Sequence, residues 1–314
     1  PGGTVQEETQ MTKVLVTGAG GFLGSHVVEY LLEQTGWEVV GVDSFRHRGD
    51  PGRLPNHPRL SVWTANLDVI QPATLASMIG EVDYILNTAS LSHVDRSIAY
   101  PVPFVENNVS LMLTVLEYAR LVKPRAFIHC STDEVFGPHF GNGGHREDSL
   151  YLPSNPYAAS KAAQDCLARA YWRTYGVPVI ITHTMNMFGE RQHPEKFLPK
   201  VIKKLVAREA IEVHADASGV IGSRCWTHAQ NYADLVMFLA ARPPSMYAAG
   251  AARPDRWHLG GQEQITNLEI VIRAARLLGV QPRYTIVDAQ TARPGHDAHY
   301  GLDGGRLAAL GWKP

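Results

Sequence analysis

The sequence predicts an α/β fold: a doubly wound parallel sheet followed by a smaller C-terminal domain. Three observations carry this. Apolar, β-rich runs alternate with helical patterns as far as residue 185. A glycine-rich turn joins the first strand to the first helix, as phosphate-binding βα turns do. After Asn186 the alternation breaks, and a helix, a basic and aromatic loop-rich stretch to Trp226 and further short elements follow.

Residues 1–10 are polar, precede Met11 and read as a disordered arm or a cloning remnant. Strands are expected at Lys13–Thr17, Glu38–Asp43, Leu60–Thr64, Tyr84–Asn87, Ala126–Ser131 and Val179–His183. Between them, helical periodicity marks Leu23–Gln34, Thr74–Ile79, Val105–Leu121 and Pro156–Tyr175. A helix near Phe197–Ala207 opens the second half. A helix near Asn231–Ala241 and a strand near Trp257–Leu259 return to the sheet. Arg242 through Pro254 reads as a loop, and Asn267–Leu278 as a helix. Residues 11–185 with about 227–260 therefore form one domain, and about 186–226 with 261–314 the other.

Bulk properties narrow the function. The chain has 314 residues, 45% hydrophobic and 19% charged, with a formal net charge of -1. That balance gives no electrostatic case for nucleic acid or an anionic membrane. No apolar run approaches the ~18 residues of a membrane span, and no secretory leader is visible. Cys130, Cys166 and Cys225 are odd in number and far apart, which argues against a disulfide framework and for a reducing, cytoplasmic location. The 14 histidines show no His-x-x-x-His on a helix, and no Cys-x-x-Cys occurs, so no metal site is expected.

Val14–Thr17 runs directly into Gly18-Ala19-Gly20-Gly21-Phe22-Leu23-Gly24. Gly18, Gly21 and Gly24 allow a tight turn and a close approach to a pyrophosphate. The helix opening at Phe22 and Leu23 offers free N–H groups and its positive dipole end. The turn marks a Rossmann-like, dinucleotide-binding domain. Asp43 ends the next strand, where a carboxylate accepts ribose hydroxyls and repels a 2′-phosphate, so NAD is expected over NADP. Arg46 and Arg48 nearby could receive such a phosphate.

Tyr157 and Lys161 stand at i and i+4 on a predicted helix and share a face. A free phenol, with a pKa of about 10, is a poor base; a neighbouring ammonium favours the phenolate. Thr132, Asp133 and Glu134 follow the fifth strand. The Thr132 hydroxyl can bond the same oxygen as Tyr157. Two adjacent carboxylates repel, which raises one pKa and divides acid from base work. The bland reading, solvated loop acids and a chance Tyr–Lys spacing, weakens once the pair follows a dinucleotide turn.

These residues resemble the extended short-chain dehydrogenase/reductase superfamily, and within it the dTDP-glucose 4,6-dehydratases. The resemblance includes Ser92–Ile98, Thr132-Asp133-Glu134, Pro153–Lys161, Asn186 with Pro194–Pro199, and Arg293-Pro294-Gly295-His296-Asp297, and runs from about Thr12 to Pro314. It implies a tightly bound NAD regenerated each cycle and a nucleotide-diphosphate hexose substrate. Tyr157 would be the oxidation base, with Lys161 and Thr132 assisting, Glu134 the base at C5 and Asp133 the acid at C6. Asn66 and Leu67 would lie near the adenine, and Asn186, Lys196, Arg224, Asn267, Arg293 and His296 would hold substrate. Arg224 would take the diphosphate, and Asn108 would support the active-site helices. The helices at Val105–Leu121 and Pro156–Tyr175 would pair into a homodimer bundle.

The chain also departs from the family pattern. Phe136 stands for a tyrosine, His183 for an arginine, Met187 for an asparagine, Cys225 and Asn231 for aspartates, Leu91 for a glutamate and Asn66 for an aspartate. The chain stops at Gly311–Pro314, where the family continues into a final helix. A 4-epimerase or decarboxylase on the same scaffold, or a non-catalytic NAD-binding protein, are the alternatives. The Asp133–Glu134 pair speaks against the first group, and the intact Thr132, Tyr157 and Lys161 against the last.

Overall fold

The computed structural model describes residues 11–139, 143–216, 218–242, 254–261, 263–288 and 300–314. Its strands are β1 (Lys13–Thr17), β2 (Glu38–Asp43), β3 (Leu60–Thr64), β4 (Tyr84–Asn87), β5 (Ala126–Thr132), β6 (Val179–Thr184), β7 (Asn186–Phe188), β8 (Ala210–Ala215), β9 (Ser223–His228), β10 (Asp255–Leu259), β11 (Gln264–Thr266) and β12 (Arg283–Asp288). Its α-helices are α1 (Phe22–Gln34), α2 (Pro72–Ile79), α3 (Val94–Ala99), α4 (Pro101–Val122), α5 (Pro156–Tyr175), α6 (Phe197–Val206), α7 (Ala229–Ala240), α8 (Asn267–Leu278) and α9 (Gly305–Ala309).

Seven strands form one parallel sheet in the order β10-β6-β5-β4-β1-β2-β3. The order reverses direction at β1, between β4 and β2, and a ligand crevice forms at the carboxyl ends of strands flanking such a point. β1, β2 and β6 are buried almost throughout, because helices cover both faces. On one face Val27, Leu31 and Leu32 of α1 pack with Leu235, Val236 and Leu239 of α7 against Val14, Val16 and Ile128. On the other, Leu75 of α2, Leu111 and Val115 of α4 and Ala168 of α5 cover Leu15, Ile85 and Phe127.

The helix ends follow local chemistry. Asn155 caps α5 by accepting from Ala158 N, Pro156 starts the helix, and Gly176 at φ 71° ends it in the left-handed region. Thr266 caps α8 by accepting from Glu269 N. In α8 and α6, Val271, Ala274, Ala275, Val201 and Leu205 face inward and bury against Ile211 and Val213.

The six strands expected before residue 185 are present, and β10 returns to pair with β6. One expectation needs correction. The stretch read as loop before Trp226 contains β8 and most of β9. β8 alternates exposed and buried residues, and its partner is the distant β12. The segment preceding the fourth helix also contains α3, a short helix whose first turn is capped when His93 accepts from Arg96 N. Most of the expected loop at 242–254 lies outside the described residues.

Candidate active site

A cavity of about 1210 Å³ opens at the carboxyl ends of β1, β2, β4 and β5 and extends to Asn186, Lys196 and Asn267. Single-ligand pockets are typically about 300–1,000 Å³, so this one is large enough for two ligands side by side.

One end is the glycine turn. Gly18 has φ +68°, a conformation that suits glycine, and its N donates to Val42 O at 2.7 Å. A Cβ on Gly24 would sit 2.1 Å from Gly18 O, so helix and turn touch backbone to backbone. Gly18, Gly21, Phe22, Leu23 and Gly24 all line the cavity, with Asp43 and Leu67 beside them. Asp43 accepts from Gly20 N at 3.0 Å and Phe45 N at 2.9 Å, which fixes its carboxylate against the turn. Arg46 is paired with Asp68 at 2.7 Å, and Arg48 with Glu195 at 2.7 Å and with His193. Both arginines that could receive a 2′-phosphate are thus engaged by acids. The set fits a dinucleotide lacking that phosphate. Asn66 is not among the lining residues; its main-chain oxygen accepts from Val69 and Ile70.

In the middle of the cavity stand Thr132, Asp133, Glu134, Tyr157 and Lys161. β5 delivers the first and a single 3-10 turn the next two; Thr132 opens that turn by accepting from Glu134 N at 3.4 Å. The Thr132 hydroxyl donates to Asp133 Oδ1 at 3.0 Å. Asp133 Oδ2 is buried and has no hydrogen-bond partner among the described residues. Burial, then the Glu134 carboxylate, push the Asp133 pKa up to about 7, while Arg224 and the Thr132 bond pull it back. Asn155 Nδ2 donates to Glu134 Oε2 at 3.1 Å. In the sequence Asn155 stands only as part of the entry to α5. Its position before Pro156 marks a helix cap, but nothing local in the sequence reveals its contact with Glu134.

Tyr157 differs from the simple expectation of an ammonium-lowered phenol. Burial first, then Glu134, Cys130 and Asp133, raise its pKa well above the ordinary value, and the hydrogen-bonding contact with Thr132 works the other way. Lys161 is buried, which lowers its pKa. Its Nζ donates to Cys130 O at 2.7 Å and Gln164 Oε1 at 2.5 Å.

Behind the site runs a buried polar row. Thr17, Asn87 and His129 are register partners on β1, β4 and β5. Thr17 Oγ1 donates to Asn87 Oδ1 at 2.6 Å, and Asn87 Nδ2 to His129 Nδ1 at 3.1 Å. Asp165 Oδ2 accepts from Ser131 Oγ at 3.0 Å, Tyr151 OH at 2.9 Å and His183 Nε2 at 2.9 Å. Phe136, where the resembled family has a tyrosine, is fully buried among His145, Tyr151, His183 and His258.

At the far end lie Asn186 in β7, Lys196 ahead of α6 and Asn267 at the start of α8. Lys196 Nζ donates to Ser92 O at 3.0 Å. Arg224 is not among the lining residues: its guanidinium sits 4.6 Å above the Tyr300 ring and donates to Ser223 O. Arg293 and His296 lie outside the described residues. Among the described residues no group of three or more His, Cys, Asp or Glu side chains is placed to hold a metal ion, and no helix is long and apolar enough to cross a membrane.

This dinucleotide turn feeding a Tyr–Lys helix defines a class. Residues 14–250 match the NAD dependent epimerase/dehydratase family, and the chain belongs to it. Among individual proteins it is 31% identical to dTDP-glucose 4,6-dehydratase of Salmonella typhimurium, over 96% of this chain and 88% of that one. It is 34% identical to the low-salt glycan biosynthesis protein Agl12 of Haloferax volcanii, over 96% and 93%. The crystal structure of DesIV, a dTDP-glucose 4,6-dehydratase from Streptomyces venezuelae with NAD and TYD bound, superimposes with a TM-score of 0.84 at 34% identity, over 96% and 92%.

Proposed function

We propose that this chain is an NAD-dependent nucleotide-diphosphate-hexose 4,6-dehydratase, a hydro-lyase that converts a nucleotide-activated hexose to its 4-keto-6-deoxy derivative. The carrying observation is the acid pair. Asp133 is buried, has one oxygen without a hydrogen-bond partner among the described residues and a pKa raised to about 7, and adjoins Glu134 in the wall of the cavity. A carboxyl poised to hold a proton beside a second carboxylate suits the removal of water, which needs a base at one carbon and an acid at the next oxygen. C4 oxidation alone has no use for the pair.

Gly18, Gly21, Phe22, Leu23, Gly24, Asp43 and Leu67 would hold NAD, with Tyr157 and Lys161 reaching its nicotinamide end. When bound, NAD supplies the hydride acceptor for C4 and the donor that later reduces C6. Tyr157 takes the C4 hydroxyl proton, assisted by Thr132 and the Lys161 ammonium. The C4 ketone makes the C5 hydrogen acidic; Glu134 removes it, Asp133 protonates the departing C6 hydroxyl, and once C6 is reduced Glu134 returns a proton to C5. Asn186, Lys196 and Asn267 hold the sugar nucleotide in this reading, with Arg224, Arg293 and His296 carried over by resemblance.

Two further parts of the proposal rest on less. Val102, Val105, Leu113, Leu121 and Tyr175 leave apolar surface on α4 and α5, which supports a homodimer formed through those helices. The three unpaired cysteines support a cytoplasmic location.

The test is incubation with dTDP-glucose and its UDP, GDP and CDP counterparts in heavy water, followed by mass spectrometry. Loss of one water with gain of one deuterium is expected for the true substrate. A panel of unchanged mass, with NAD still bound, would overturn the dehydratase reading in favour of a 4-epimerase or a non-catalytic role.

A further inference from the structure

Lys161 is held from behind by a side chain that the proposed reaction does not use. Gln164 lies one helical turn along α5 and is fully buried. Its Oε1 accepts from Lys161 Nζ at 2.5 Å, and its Nε2 donates to the main-chain oxygen of Asn108 in α4 at 2.6 Å. The chemistry forces this amide orientation. An ammonium has only donors and a peptide carbonyl only acceptors, so the reversed amide would oppose like groups at both ends.

Asn108 is fixed in turn. Its Oδ1 accepts from Leu91 N at 2.8 Å, and its Nδ2 donates to Leu91 O at 3.1 Å and Ser160 Oγ at 2.8 Å. Ser160 Oγ donates to Tyr157 O at 2.7 Å. Gln164 thus ties Lys161 to the residue that holds both the cavity wall at Leu91 and the first turn of the Tyr157 helix.

His129 closes the other side. Ala89 N donates to Thr17 Oγ1 at 3.3 Å, so the Thr17 proton goes to Asn87 Oδ1 and the Asn87 amino group to His129 Nδ1. Burial and then the Lys161 charge keep His129 neutral, and its Nε2 faces Lys161 and Asp165. That nitrogen lies 3.5 Å from Lys161 Nζ and 3.5 Å from Asp165 Oδ1. Lys161 Nζ therefore has Cys130 O and Gln164 Oε1 as its two short acceptors, and His129 Nε2 as a longer contact.

We infer that Gln164 is a positioning residue: it stabilises the Lys161 ammonium and, through its bond to Asn108, fixes it at the cavity wall one turn from Tyr157. The inference rests on the reading of Lys161 as the partner of Tyr157 in the proposed reaction. The other groups near Nζ do not replace Gln164. β5 brings neutral His129 and the Cys130 carbonyl. The turn after β5 brings Asp133 and Glu134, which face the cavity. Asp165 and Tyr157 come from α5, His183 of β6 acts through Asp165, and Tyr232 of α7 through Cys130.

The test is lysine side-chain NMR of the full-length protein without any sugar, following the Lys161 Nζ titration, with Lys161→Arg to assign the signal. Gln164→Met keeps the volume but removes the acceptor, and should lower the Lys161 midpoint by about one pH unit or more. Gln164→Glu supplies an anion and should raise it. If Gln164→Met fails to fold, the sign of the Gln164→Glu shift decides. A midpoint unchanged in the folded variants overturns the inference, even in an enzyme that dehydrates its substrate. Shifted midpoints in a protein inert toward every sugar nucleotide would instead overturn the dehydratase reading alone.

Discussion

His183 Nε2 lies 2.9 Å from Asp165 Oδ2, and both side chains are sealed from water. The same oxygen accepts from Ser131, the residue before Thr132. One carboxylate therefore ties β6 and α5 to the strand end that carries the proposed chemistry. Burial alone would raise the Asp165 pKa, but His183, then His129 and Lys161, more than offset it and hold it below the usual carboxylate value. A histidine thus makes the contact at a position where the resembled family carries an arginine.

Asp165→Asn should leave the buried Lys161 ammonium without its counter-charge and the Ser131, Tyr151 and His183 contacts with a weaker acceptor, and cost about 3–5 kcal/mol at neutral pH. A carboxylate with a depressed folded pKa contributes stability above its unfolded value, about 3.9, and loses it as pH falls through the folded value. The penalty should therefore shrink in acid below about pH 4. Urea unfolding of both proteins at neutral and acid pH checks this. An equal penalty at both would show that the charge is irrelevant.

His258 gives a second pH effect of the same sign in a higher pH window. Burial, then the neighbouring His183, lower its pKa to about 2, and its Nδ1 donates to His145 O at 3.0 Å. The unfolded chain takes up this proton near pH 6.5 and the folded chain does not, so stability is complete above that pH and falls below it, by up to about 1.4 kcal/mol per pH unit. His258→Gln cannot titrate and should flatten the loss of melting temperature between pH 7.5 and 5. Parallel curves for the two proteins would remove His258 from the account.

Glu134→Gln should still oxidise C4 but lose dehydration by about 10²–10⁴-fold. Reduced nicotinamide should then build up at 340 nm while the sugar keeps its water. Tyr157→Phe should instead fail at the first step and show no 340 nm signal. Normal water release by the Glu134 variant, or full nicotinamide reduction by the Tyr157 variant, would reassign the roles.

Gly24→Ala tests the turn itself. The new methyl would lie 2.1 Å from Gly18 O, a backbone atom that cannot swing aside. The helix must shift from the turn, at a cost of about 1–3 kcal/mol, and bound NAD should be lost. The nicotinamide content of purified protein and its melting temperature check this; a variant that keeps both would mean that the helix slides without consequence.

Much of the sheet was legible because its strands are short apolar runs punctuated by glycine, asparagine or aspartate, and buried on both faces. β8 and β12 were not. β12 is almost entirely exposed, and its pairing with β8 reaches across the described helices α7 and α8. In the site, Tyr157, Lys161, Asp133 and Glu134 stand out because their residue types and spacing imply chemistry. Gln164 and His129 do not, since an amide or imidazole inside an apolar pattern gains its meaning only from what packs opposite. The contact of the Arg224 guanidinium with the Tyr300 ring is likewise invisible in the sequence, because the two residues are distant in the chain.

The row Thr17–Asn87–His129 depends on register as well as on residue identity. Each member faces the next only because β1, β4 and β5 are aligned residue for residue. Adding or deleting one residue within β4 would turn Asn87 to the opposite face and break the row at its middle. Descendants of this gene should therefore tolerate exchanges of one amino acid for another within these strands far more readily than changes in strand length. Insertions and deletions in their lineages should gather in the connecting loops.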